Sequence, residues 1–236
     1  MRISLPLLGS MLLLAGCHVP APRTQPQSAA RPPAAAGVEL YQVDAAHSLI
    51  TLRVYREGPL AGFGHNHIIA VHGLEGSIHW HPDPARASLA LRFPVAALSV
   101  DDVALRAAAG PDFAAEVSDS ARSGTRANML GPHVLDAEHY PQVTLESERI
   151  GGSAATPLLS LRVYVAGHDA LVDVPVHVER DAGCLRATGD IELKQTALGL
   201  TPFGLMLGAL RVADTIGAHF DIVARPVALG ATGPTP

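Results

Sequence analysis

The chain has 236 residues, of which 48% are hydrophobic and only 4% aromatic. Its 17 Lys and Arg residues are outnumbered by 22 Asp and Glu residues, which gives a formal net charge of −5. A nucleic-acid-binding surface needs clustered basic residues to displace counterions from phosphates, so this scattered minority of basic residues argues against a nucleic-acid partner. The length is sufficient for one substantial hydrophobic core.

The N-terminal residues carry the pattern of a bacterial lipoprotein signal. One basic residue precedes an apolar segment from Ile3 to Ala15, which is too short to span a bilayer. The run Leu14-Ala15-Gly16-Cys17 closes the segment, so we predict a signal peptide over residues 1–16 and acylation of Cys17, for example with palmitate. His18 stands where an Asp would mark retention at the inner membrane, which favours the periplasmic side of the outer membrane. An ordinary cleaved signal with a chance cysteine is the alternative.

Three further segments follow from composition. Residues 17–37 are rich in Pro and Ala and lack aromatic residues, so they predict an extended tether behind the lipidated cysteine. Residues 38–226 form the predicted folded domain, and residues 227–236 a disordered tail. Cys184 is the only other cysteine, so acylation of Cys17 would exclude an intramolecular disulfide.

Alternation of apolar and polar residues dominates the folded domain. It is clear at Ile50, Leu52 and Val54, and it recurs in segments separated by short Gly-, Pro- and Asp-rich turns. Short connections favour antiparallel neighbours. The interval from Asp112 to Leu130 departs from this pattern, because its spacing is helical and Asp112 is a candidate N-cap. We predict an all-β fold, an antiparallel β-barrel of about eight strands with one helical insertion.

The same alternation assigns an inward face to the barrel. A barrel of about eight strands either fills with side chains, as a structural protein, or holds one slender ligand. If it holds a ligand, the cavity wall would comprise Ile50, Leu52, Val54, Leu89, Leu91, Phe93, Val143, Leu145, Val163, Val165, Val174, Val176, Leu193, Phe203, Met206, Phe220 and Ile222.

The uncharged run from Thr196 to Leu210 supplies two residues of that wall. Pro202 and several glycines break any long helix, and the run is short for a bilayer span. It is interpreted either as a buried loop that plugs one end of the barrel or as an apolar rim through which a ligand enters. In the second interpretation Phe203 and Met206 line the path.

The block Gly64-His65-Asn66-His67 is the sharpest local motif. Two imidazoles at positions i and i+2 of a strand point to one face, so His65 and His67 could share zinc or copper. Zinc usually needs three or four ligands, and polar wall or surface histidines are the alternative. No cofactor is otherwise predicted.

Charged residues in the helical insertion are open to two interpretations. Asp101 and Asp102 are adjacent, so they are interpreted as a solvated turn or cap rather than as paired carboxylates. Arg106, Arg122 and Arg126 either meet an anionic head group or lie on a solvated surface. An activated-serine motif of the Gly-x-Ser-x-Gly type is missing from the sequence, and no enzymatic activity is predicted.

Two motifs together resemble the YceI-like family of periplasmic lipid-binding proteins. Tyr41-Gln42-Val43-Asp44-Ala45-Ala46-His47-Ser48 is similar to the first-strand signature of the family, and Val134 to Val143, with its Tyr140-Pro141 pair, resembles the helix-to-strand signature. The resemblance runs from about Tyr41 to Ala224. The Gly-His-Asn-His block departs from the usual pattern and suggests a divergent branch.

The resemblance implies a lipocalin-like barrel around an elongated apolar cavity. It also implies a polyisoprenoid or fatty-acid-like amphiphile as ligand, bound for carriage, storage or protection against envelope stress. The expected function is therefore that of a membrane-tethered binding protein, and the sequence leaves open whether it forms a homodimer. A histidine-based metal-binding module and a structural envelope protein with a filled barrel are the alternatives.

Overall fold

The computed structural model describes residues 37–181 and 183–227. The predicted signal peptide, Cys17, the tether up to residue 36 and all but the first residue of the tail lie outside the described residues. The strands are β1 (Glu39–Val43), β2 (Leu49–Val54), β3 (Arg56–Glu57), β4 (His67–Val71), β5 (Glu75–Trp80), β6 (Ser88–Pro94), β7 (Ser99–Val100), β8 (Gln142–Gly152), β9 (Pro157–Val165), β10 (His168–Pro175), β11 (His177–Arg180), β12 (Leu185–Lys194), β13 (Gly204–Leu205), β14 (Leu210–Val212) and β15 (Thr215–Pro226). The α-helices are α1 (Val103–Ala108) and α2 (Asp119–Leu130), and short 3-10 helices lie at Ala45–His47, Ala61–Phe63, Pro84–Arg86, Val95–Ala97, Pro111–Phe113, Thr196–Leu198 and Met206–Gly208.

Several of these strands are halves of one longer, bent strand. β1 and β2 both pair with β15, while β5 pairs with β1 and β4 pairs with β2. β10 and β11 follow each other with only Val176 between them. In the described residues, eight long antiparallel strands thus succeed one another in chain order around the core: β1–β2, β4–β5, β6, β8, β9, β10–β11, β12 and β15.

The circuit of hydrogen bonds is interrupted at one seam. β11 pairs with β12 from His177 opposite Thr188 to Arg180 opposite Leu185, whereas β10 pairs only with β9. Gly189 of β12 lies against this seam, where an added Cβ would stand 2.9 Å from the carbonyl oxygen of Pro175. The predicted antiparallel β-barrel with a helical insertion is confirmed, and its ladder is open along β10.

The helical insertion begins later than its sequence indicates. Residues Pro111–Phe113 form a 3-10 turn, so Asp112 is not the N-cap of the long helix. Ser118 takes that position instead and accepts a hydrogen bond from the amide of Ala121 at 3.2 Å. Asp119 follows in the first turn, where a negative charge suits the helix dipole. None of the helices in residues 37–181 and 183–227 has the length and hydrophobicity needed to cross a membrane.

The hydrophobic core lies on the inner face of the strands. One cluster, which includes Leu91, Leu161 and Phe220, occupies the middle of the barrel. A second cluster lies under the helical insertion and includes Ile69 and Leu198. The helix α2 packs partly buried side chains such as Met129 against this second cluster and so covers part of one barrel end.

Candidate functional site

A cavity of about 490 Å³ lies inside the barrel. Its wall comes from the inward side chains of the long strands, because alternate residues of a strand point to the same face. On β9, Leu161 and Val163 line the cavity, whereas Arg162 between them forms ion pairs outside with Glu148 and Asp169. The wall is therefore aliphatic and charge-free along most of its length.

The predicted wall residues lie along this cavity with one exception. Lining positions include Ile50, Leu52, Val54, Leu89, Leu91, Phe93, Val143, Leu145, Val163, Val165, Val174, Val176, Leu193, Phe203, Phe220 and Ile222. The placement of Met206 was wrong, because its side chain is 74% exposed and does not line the cavity. Met206 lies on an irregular turn, where the alternation that orients strand residues does not operate.

Some lining residues were missed by the sequence-based assignment. Leu159 and Leu161 continue the alternation of Val163 and Val165 toward the start of β9. The same alternation in the sequence could have identified both residues. Thr125, Asn128 and Met129 reach the cavity from α2. Their helical spacing was visible in the sequence, but the spacing does not reveal that this face of the helix covers the barrel end.

One end of the barrel is closed by a compact cluster. Tyr41 and Leu185 are buried there, and Trp80 packs against them. The guanidinium of Arg180 stacks 3.9 Å from the ring centroid of Trp80 and donates a hydrogen bond to the Tyr41 hydroxyl at 2.8 Å. Because none of these four side chains lines the cavity, the cavity ends above them.

The opposite end, which we term the mouth, carries polar groups. His67 pairs with Val54 at the end of β2, and Arg56 of β3 pairs with Val212 of β14. The cavity at this end is lined by Tyr55, Arg56, His65, His67, Gln195 and Arg211. A ligand in the cavity would therefore have aliphatic surroundings along the barrel and hydrogen-bond donors at the mouth.

The apolar run Thr196 to Leu210 forms part of the rim of the mouth. Its buried residue Leu198 and its neighbours Leu200 and Phe203 line the cavity. Farther along, the run forms the β13–β14 hairpin, whose turn is exposed. This geometry matches the rim interpretation better than the buried plug, whereas a role in ligand entry stays a prediction.

The two histidines of the Gly-His-Asn-His block lie side by side at the mouth. Their ring centroids are 6.3 Å apart, and the Nδ1 atom of His67 donates to the buried carboxylate of Asp101 at 2.6 Å. Among residues 37–181 and 183–227, no group of three or more His, Cys, Asp or Glu side chains is placed to hold a metal ion. Among the described residues, the structure therefore supplies no third protein ligand for a metal shared by His65 and His67.

Comparison with known families identifies the domain. The family model for the YceI-like domain matches residues 41–224, which is most of the chain. The chain belongs to the YceI-like family. Members of the YceI-like family are periplasmic binding proteins rather than known enzymes.

Solved structures with the same fold support the architecture. BcnA from Burkholderia cenocepacia has a TM-score of 0.57 at 19% identity, covering 77% of this chain and 98% of that chain. A polyisoprenoid binding domain from Saccharophagus degradans, implicated in plant cell wall breakdown, has a TM-score of 0.53 at 11% identity, covering 79% and 98% of the two chains. At these identities the likeness concerns the fold alone. No match is found among curated proteins.

A buried ionic network supports the mouth of this YceI-like domain. Asp101 is 1% exposed and accepts hydrogen bonds from His67, from the amide of Ile68 at 2.9 Å and from Arg106 at 2.6 Å. Burial raises the pKa of Asp101, but the hydrogen bonds outweigh burial, so the pKa lies below its ordinary value. Arg106 also donates to the carbonyl oxygen of Asn66 at 2.7 Å, immediately before β4, and to that of Ala115 at 2.8 Å. These bonds fasten α1 to the start of β4 and to the segment that leads to α2.

This network corrects two expectations. Asp101 is not part of a solvated turn, because its backbone adopts a left-handed φ of 56° and its side chain points into the protein; Asp102 is the N-cap of α1, as expected. Arg106 is buried, so both expectations for it were wrong: it neither lies on a solvated surface nor is placed to meet a head group. Arg122 pairs with Asp119, and Arg126 donates to the carbonyl oxygen of Ala96 at 2.6 Å.

Proposed function

We propose that the protein binds the apolar chain of one amphiphilic lipid, an isoprenoid or a fatty acid derivative, inside the barrel. The observation that carries this proposal is the aliphatic cavity of about 490 Å³, which falls in the size range of ligand pockets. Protein interiors rarely contain voids much larger than a water molecule. Without a ligand, an aliphatic cavity that opens at the mouth would expose its wall to water, at a cost of about 25 cal/mol for each Å² of apolar surface.

Family membership supports the same proposal. The relative from Saccharophagus degradans is described as a polyisoprenoid binding domain, and the YceI-like family consists of periplasmic binding proteins. We further propose that acylated Cys17 anchors the protein to the periplasmic side of the outer membrane. In that position the domain would carry or store lipid, or protect the envelope under stress.

The direct test is extraction and reloading. A Cys17→Ser variant of the full chain, purified without detergent, should release one long-chain lipid per protein into organic solvent, as measured by mass spectrometry. The delipidated protein should then take up a fluorescent fatty acid with a stoichiometry near one. A protein that yields no lipid and takes up none from solution would contradict the proposal and favour a filled structural barrel.

A further inference from the structure

The rim of the mouth exposes a group of large apolar side chains. Phe63 is 82% exposed, Leu207 is fully exposed, and Met206 and Leu205 are largely or half exposed. We term these four residues the apolar tip. The other large exposed apolar side chains of the described residues are dispersed and lie at Val103, Leu158, Leu171 and Val227.

Backbone contacts hold the two parts of the apolar tip together. Leu205 pairs with Leu210 in the β13–β14 hairpin, whose turn contains Met206 and Leu207. On the other flank of β14, the amide of Leu60 donates to the carbonyl oxygen of Ala209 at 2.9 Å, and Phe63 follows in the same turn. The four side chains thus belong to one rim, rather than to separate parts of the surface.

The conformation of the hairpin turn is unfavourable for its residues. Met206 and Leu207 have φ angles of 50° and 57°, in the left-handed region that bulky residues rarely adopt. In this conformation the turn also presents both side chains to solvent, where burial does not stabilise them. A contiguous exposed apolar group of this kind marks a surface that is covered by a partner.

The position of the apolar tip indicates which partner covers it. Leu205 and Leu210 line the cavity, so a ligand that leaves the mouth passes directly over the hairpin. Arg211 at the same rim is paired with Glu57 at 2.8 Å, whereas the guanidinium of Arg56 donates to the carbonyl oxygen of Gly64 and keeps its positive charge beside the apolar surface. A basic residue in this position favours anionic phospholipid headgroups. Transfer of an apolar ligand through water is unfavourable, because each methylene is exposed to water on the way. This exposure is avoided if the mouth touches a bilayer.

We propose that the apolar tip inserts into a phospholipid membrane surface and places the mouth against it, so that lipid exchanges directly between bilayer and cavity. This inference rests on the proposed function. The chain enters the barrel through β1, at the closed end, and the 12 residues of β15 limit the barrel length to about 40 Å at most. The segment from Cys17 to the first described residue can span about 65 Å at most, so an anchor at Cys17 leaves the mouth free to face the same membrane.

The test compares vesicle binding with ligand uptake from solution. The Cys17→Ser protein, which has no acyl anchor, is sedimented with vesicles of phosphatidylethanolamine and phosphatidylglycerol in a ratio of about 3:1. The phosphatidylglycerol gives the vesicle surface a negative charge. The test variant is Met206→Asn/Leu207→Asn, because asparagine tolerates the left-handed backbone and adds no charge. The matched control is Leu171→Asn, which removes an exposed leucine from the outer face of β10.

The double variant should lose at least about tenfold in vesicle affinity and should accept a fluorescent fatty acid from vesicles more slowly. Uptake of the same fatty acid from solution should stay unchanged, and Leu171→Asn should behave like the parent. Equal vesicle binding by parent and double variant would overturn the inference, as would a dimer of the parent that the double variant makes monomeric. If the parent binds vesicles through the apolar tip but takes up no fatty acid from solution, docking stands and the proposed function fails.

Discussion

Enlarging one wall residue distinguishes an occupied cavity from a filled core. Val174 lies on β10, is nearly fully buried and lines the cavity. Val174→Trp adds about seven heavy atoms, on the order of 100 Å³, or roughly a fifth of the cavity volume. That space accommodates about three or four methylene groups of a ligand. At about 0.8 kcal/mol for each buried methylene, their loss weakens binding by about 2–3 kcal/mol, or roughly 30- to 150-fold.

The measurement pairs ligand titration with thermal unfolding. Leu171→Trp is the matched control, because Leu171 lies three residues away on the same strand and is 63% exposed. The control should bind a fluorescent fatty acid like the parent. Val174→Trp should bind it far more weakly, while the midpoint of unfolding of the ligand-free protein changes little. A filled core would respond in the opposite manner, with a loss of about 1–3 kcal/mol in stability and no ligand binding to weaken, and that result would refute the reasoning.

Three further predictions concern the anchor, the histidines and the buried network. Cys17→Ser should move the protein from washed membranes to the soluble periplasm, because docking of the apolar tip alone is reversible, and unchanged fractionation would assign the stable anchor to another segment. If His65 and His67 share zinc or copper, replacing both with Ala should abolish metal binding without changing the β-sheet signal in circular dichroism. The affinity of the parent for the metal should fall below about pH 6. Metal analysis that finds no bound metal in the parent after loading would remove this hypothesis. Asp101→Asn should destabilise the domain by about 3–5 kcal/mol, because it leaves Arg106 buried beside a neutral partner. In the parent, the folded-state pKa of Asp101 is lowered, so its contribution to stability is present above the unfolded pKa of about 4 and is lost as pH falls through the folded value.

The cavity wall was predictable wherever strands are regular. Alternation alone placed Val163 and Val165 on the inner face, because the side-chain period of a strand is two. The seam at β10 was not predictable, since the interruption depends on how Gly189 and the bend at Val176 bring two strands together without hydrogen bonds. Periodicity describes each strand, whereas pairing depends on contacts that are distant in sequence.

The mouth shows where local patterns give no information. Asp101 and Asp102 have the same side chain, yet Asp102 caps a helix at the surface and Asp101 is buried. The difference arises from the left-handed backbone at Asp101 and from Arg106, one helical turn later, which neutralises the buried charge. A pattern of two adjacent carboxylates contains neither fact, so the sequence predicts the polar turn and misses the ionic network.

The contrast between the two barrel ends gives the domain a direction. At the closed end, Arg180 donates to the Tyr41 hydroxyl, both side chains donate to the carboxylate of Glu39, and Trp80 covers the guanidinium. At the mouth, the Nδ1 atom of His67 is held by Asp101, which leaves the opposite edge of the imidazole as the edge available to the cavity. Buried polar groups require partners, and an aliphatic wall offers none, so the head of an amphiphile is stable only at the mouth. The geometry therefore favours insertion with the apolar chain first and the polar group last, beside the rim that carries the apolar tip.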